Sequence, residues 1–167
     1  MSKPLNRRNK KYRPRPISNG GGLTVIARCH ARGQDAAPLT GGQLQDLGLA
    51  YWLSLEQLRT GAAGEEAWSC VVTALNIGLA LAETGVGAEH EQAMNDALEG
   101  AFRAKTRSRV SGSFRLDGDA MRDIEAALSV HDRQMEVATR AEVTAAMLLV
   151  RQRVDAGHVY RDSVAPA

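Results

Sequence analysis

The sequence predicts an all-α fold: a bundle of about five helices carrying an extended or disordered basic N-terminal arm. Three observations lead there. Beyond residue 40, apolar side chains recur at three- and four-residue steps. Helix-start residues (Thr40, Asp117, Thr139) and glycine stops (Gly61, Gly85, Gly157) divide those stretches. Hydrophobic residues make up 44% of the chain but aromatic ones only 4%, so Ala, Leu, Val and Met must fill the interior, which favours close helix–helix packing.

Residues 1–17, MSKPLNRRNKKYRPRPI, are excluded from a stable helix by Pro4, Pro14, Pro16 and like-charge repulsion. Arg13-Pro14-Arg15-Pro16 reads as extended and polyproline-like. Ser18 to Gly22 forms a glycine joint, Leu23-Thr24-Val25-Ile26-Ala27 a β-prone or packing segment able to anchor the arm, and Gly33 to Pro38 a second linker. Residues 1–38 thus form arm and linker, 39–158 the bundle, and 159–167 a frayed C-terminus.

In the bundle, Thr40 and Gln43 have capping-box form, and Leu44, Leu47, Tyr51, Leu55 and Leu58 line a helix running to about Thr60. The second helix starts near Glu65 and Glu66. Its face of Trp68, Val72, Leu75, Leu79 and Ala82 is widened by Val71, Ile77 and Leu81, making it the most buried of the set. The third is expected over about Glu89 to Thr106, with Met94, Ala97, Leu98, Ala101 and Phe102 inward. Residues 108–116 read as a connector, either a loop or a short extended piece with Val110, Phe114 and Leu116 turned inward. Asp117 caps a fourth helix, about 118–138, on which Met121, Ile124, Leu128, His131, Met135 and Ala138 share a face. Thr139 and Glu142 form a second capping box and begin a fifth helix lined by Val143, Met147, Val150 and Val154.

Charge separates along the chain. Lys3, Arg7, Arg8, Lys10, Lys11, Arg13, Arg15, Arg28 and Arg32 are nine cations with no acid among them. Residues 33–167 hold the remaining 12 basic side chains against all 19 acidic ones, a net of −7. The total of +2 therefore combines a +9 arm with an anionic body. A dense cationic arm reads as a tether for a polyanion, because each Lys or Arg that meets a phosphate releases a condensed counterion. Tyr12 can stack on an exposed base. The nucleic-acid-binding residues expected are Lys3, Arg7, Arg8, Lys10, Lys11, Tyr12, Arg13 and Arg15, joined by Arg103, Lys105, Arg107 and Arg109 at the end of the third helix. Two competing readings stand beside these: the arm serves solubility alone, and the second cluster compensates a helix C-terminus. No helix has the donor-rich face of a recognition helix, so sequence-specific readout is not expected.

Catalytic and metal signals are thin. His90-Glu91 opens like HExxH, but residue 94 is Met. Cys29-His30 has no partners at metal spacing, and Cys29 and Cys70 read as reduced thiols. His131 and Asp132 are neighbours on a helix and point about 100° apart. The expected His131 is therefore a half-buried, hydrogen-bonded ring at the bundle edge. No enzyme, cofactor or metal is expected. No run approaches a membrane span, and the basic N-terminus lacks the apolar stretch of a signal peptide, so a cytoplasmic location is expected.

Lys10-Lys11-Tyr12-Arg13-Pro14-Arg15-Pro16 and His131-Asp132-Arg133-Gln134-Met135-Glu136-Val137-Ala138-Thr139 resemble stretches of small phage and prophage proteins of proteobacteria, which generally have no assigned activity. The likeness covers the arm and the last two helices. It implies a phage accessory or virion-associated protein of the bacterial host cell, and it brings no catalytic residues. The charge division, for its part, points to nucleic acid, an acidic protein surface or a second copy of the chain as partner.

Overall fold

Among the described residues five α-helices form: α1 Gly41–Thr60, α2 Glu65–Glu83, α3 Glu91–Ser111, α4 Gly118–Val137 and α5 Arg140–Asp155, with a 3-10 turn Ala88–His90 ahead of α3. The structure, a computed structural model of the chain, describes residues 36–157. The arm cations, Tyr12, the Leu23–Ala27 segment, Cys29, His30, His158 and the C-terminal tail lie outside those residues.

Helix starts follow the side chains that can satisfy free backbone N–H groups. Thr40 and Thr139 each close a full capping box, with Gln43 and Glu142, and the Asp117 carboxylate accepts from the Ala120 N–H at 2.8 Å. Gly61 and Gly112 end α1 and α3 at φ +78° and +70°, a left-handed conformation in which a Cβ would be strained. Among the described residues there is no strand. A single isolated bridge joins Pro38 to Thr139, and the Arg140 N–H donates to the Ala37 carbonyl at 3.0 Å.

α2 is the hub and packs on each of the other four helices. Its small residues Ala67, Ala74, Gly78 and Ala82 are buried, which lets neighbours come close. At Gly78 a Cβ would stand 2.9 Å from the Met94 Cε and 3.1 Å from the Gln134 Oε1. α3 and α4 meet as tightly: a Cβ at residue 100 would lie 2.8 Å from that of Ala120. Two cores result. The larger joins α1, α2, α3 and α4 around Leu55, Leu58, Val71, Leu75, Met94, Ile124 and Leu128. The smaller holds Leu39, Ala80, Leu81, Met135, Ala138, Val143 and Ala146.

Three expectations need correction. α3 begins at Glu91 and runs to Ser111, five residues past Thr106, because the helical backbone continues through Arg107 and Arg109 until Gly112 supplies the stop. Val110 therefore lies on the outer face of α3 and is 95% exposed; Leu116 is buried and Phe114 half-buried against the larger core, as the inward alternative had them. Val154 is exposed, since the last turns of α5 extend beyond the smaller core.

Candidate functional site

The C-terminal half of α3 gathers the basic residues picked out in the sequence. Arg103 and Arg107 converge on Asp117, with Arg103 Nε 3.8 Å and Arg107 Nη1 2.9 Å from its Oδ2, while Arg107 Nη2 donates to the Arg115 carbonyl at 3.2 Å. The capping N–H of Ala120, and then the two guanidinium groups, hold the Asp117 carboxyl below the usual range. Lys105 points to another side of the helix. Its Nζ lies 3.4 Å from Glu65 and 4.3 Å from the centre of the Trp68 ring. Trp68 is fixed in turn by its indole N–H, which donates to the Ala101 carbonyl at 2.8 Å. Arg103, Lys105 and Arg107 thus compensate local acids. These ion pairs are partly exposed, and such pairs contribute roughly 0–1 kcal/mol each, so an incoming phosphate could exchange with them at small cost.

A second constellation lies between α1 and α4, at residues not singled out in the sequence as a site. Tyr51 and Trp52 on α1 both donate to Asp132 on α4: the phenol to Oδ1, and the indole N–H to Oδ2 at 3.0 Å. Burial first, then the bond to Asp132 and its charge, push the Tyr51 hydroxyl well above the ordinary phenol range. The three side chains form the floor of a groove of about 400 Å³, whose apolar wall is Leu44, Leu47, Leu49 and Met135. The available signal was an aromatic pair beside a lone acid on the facing helix, but the pairing needs the α1–α4 crossing to be known.

His131 departs from its expected place. It is 2% exposed, packs 5.5 Å from the Tyr51 ring, and its Nδ1 has no hydrogen-bond partner. Burial lowers its pKa from 6.5 to about 4, so the ring is neutral at pH 7. The stripe of α4 runs through the centre of the packed helices, not along their edge, which explains the difference. Asp132 is committed to Tyr51 and Trp52 and forms no catalytic pair with it. One turn on, the Gln134 amide donates to the carbonyls of Gly78 (3.1 Å) and Val86 (2.7 Å), joining α4 to α2 and to the loop before α3.

Among the described residues no three His, Cys, Asp or Glu side chains cluster as a metal site would require. No helix there is long and apolar enough to cross a membrane. Comparison of the chain with protein-family models, with curated proteins and with solved structures returned no match.

Proposed function

We propose that this chain is a non-enzymatic, phage-type accessory or virion-associated protein of the bacterial cytoplasm, whose basic arm binds nucleic acid without sequence preference. One observation carries the reading: nine cations and no acid stand before residue 33, against a net of −7 in the rest. A chain so divided presents its positive charge as a reach rather than as a face. The helical body would then dock on a partner or on itself. The cations at the end of α3 are secondary contacts, reached by exchange with Asp117 and Glu65.

Salt titration of binding to short DNA and RNA tests the proposal. The dependence of log K on log salt should approach about −6 if all seven cations of residues 1–17 meet duplex phosphates. Deleting residues 1–17 should abolish most of that slope. A flat titration, or one unchanged by the deletion, would refute it. The anionic body supports a second reading, in which the arm docks on an acidic partner or on a neighbouring subunit. That reading predicts a change of mass in light scattering on deletion of the arm, and no gel shift with DNA.

A further inference from the structure

Among the described residues nothing covers the α1–α4 groove. No side chain of Gly41–Ala50, the first half of α1, is fully buried, although Leu44 and Leu47 lie on the core-facing stripe. Leu49 is 57% and Leu53 54% exposed. The groove's lining includes the carboxylates of Asp132 and Glu136 and no Lys or Arg. Asp132 is occupied by Tyr51 and Trp52, whereas Glu136 is exposed one turn along α4.

We propose that this groove seats the chain's own segment Leu23–Ala27, with Arg28 reaching Glu136. The point at which the described chain begins supports this occupant. Ala37 and Pro38 are fastened to the start of α5, and Leu39 is buried with Met135 and Ala138, at the end of the groove. The eight residues 28–35 can span up to about 26 Å, enough to return residue 27 over the groove. Length agrees too. From Leu44 to Trp52 the wall runs about 12 Å at helical rise, and five extended residues cover about 16 Å. Charge complementarity completes the match: an apolar run followed by Arg28 meets an apolar groove with the exposed Glu136 in its lining. The proposal concerns only the base of the arm, and it stands or falls apart from nucleic-acid binding by residues 1–17.

Cys29 supplies the probe. A nitroxide on Cys29, in the full chain carrying Cys70→Ala, should broaden the amide signals of 44–52 and 132–136 far more than those at the end of α3. Leu49→Lys, at an exposed position, should remove that broadening. Uniform broadening, or none at the groove, would overturn the proposal. So would broadening in a mixture of spin-labelled unenriched protein with unlabelled 15N protein, which would assign the groove to a second copy. If Cys70→Ala does not fold, Val25→Asp in the otherwise unaltered chain reads the same contact by hydrogen exchange. Amides 44–52 should then open about tenfold faster or more. Unchanged exchange would overturn the proposal.

Discussion

The two cores of this bundle are built to different standards. Around the larger, α2, α3 and α4 interlock through fully buried Leu75, Met94, Ile124 and Leu128, and through a glycine–alanine contact at Gly100 and Ala120 that leaves no room for another methyl group. The smaller core holds only seven buried residues, and as many half-buried ones flank it, among them Leu44, Leu47, Met147 and Val150. Close packing in the first gives one rigid arrangement. In the second, apolar surface is left at the water boundary, at the point where the arm joins the body. Close packing and half-buried apolar surface are therefore separated in space.

The sharpest way to break this contrast is a pair of truncations. Leu75→Ala should destabilise by about 2–5 kcal/mol in urea unfolding, because its surroundings cannot collapse into the cavity. Leu47→Ala, half-buried, should cost about 1 kcal/mol. Equal costs would mean that the smaller core is as tightly held as the larger.

His131 gives the next largest effect. Its folded pKa of about 4 lies below the ordinary 6.5, so the unfolded chain binds more protons between those values. Stability from this group is complete above pH 6.5 and is lost as pH falls to 4, by about 3 kcal/mol in total. Urea midpoints at a series of pH values should show that slope, and His131→Leu should flatten it.

Tyr51→Phe should cost about 1.5–3 kcal/mol, since it removes a charge-assisted hydrogen bond from a half-buried carboxylate. Thermal unfolding measures it, and a neutral result would show that Trp52 alone satisfies Asp132.

The last comparison adds one methyl group in each region. Gly100→Ala should destabilise by about 1–3 kcal/mol, despite Ala being the better helix former, because Ala120 stands in the way. Gly48→Ala, beside the groove, meets the Tyr51 hydroxyl at an ordinary 3.6 Å and should stabilise by about 0.5–1 kcal/mol. Denaturant midpoints of the two variants should move in opposite directions.

Much of the fold was legible in the sequence because its signals are local. Thr40, Asp117 and Thr139 cap their helices as their side chains predict, since a cap needs only the next turn of backbone. The third helix was drawn short because Ser108, Ser111 and Gly112 resemble a linker, and only packing shows that Ser108 is buried against its neighbours. The groove was not legible. Tyr51 and Asp132 are 81 positions apart, and neither carries a mark of the other. His131 was read on the right face but at the wrong depth, because a periodic stripe gives direction and not distance from solvent. The arm was read from charge alone, and salt titration with and without residues 1–17 is the measurement that tests it.

Asp117 sits at one end of α4 and collects Arg103 and Arg107 from α3. It is therefore an internal competitor. Any phosphate that engages those two guanidinium groups competes with the Oδ2 of a carboxylate whose Oδ1 caps α4. Whatever draws the Asp117 carboxylate away raises the affinity of the α3 cations for an outside anion, and by reciprocity such an anion weakens the hold of those cations on Asp117. An outside anion at this end of the bundle would thus bear on the side chain that starts α4.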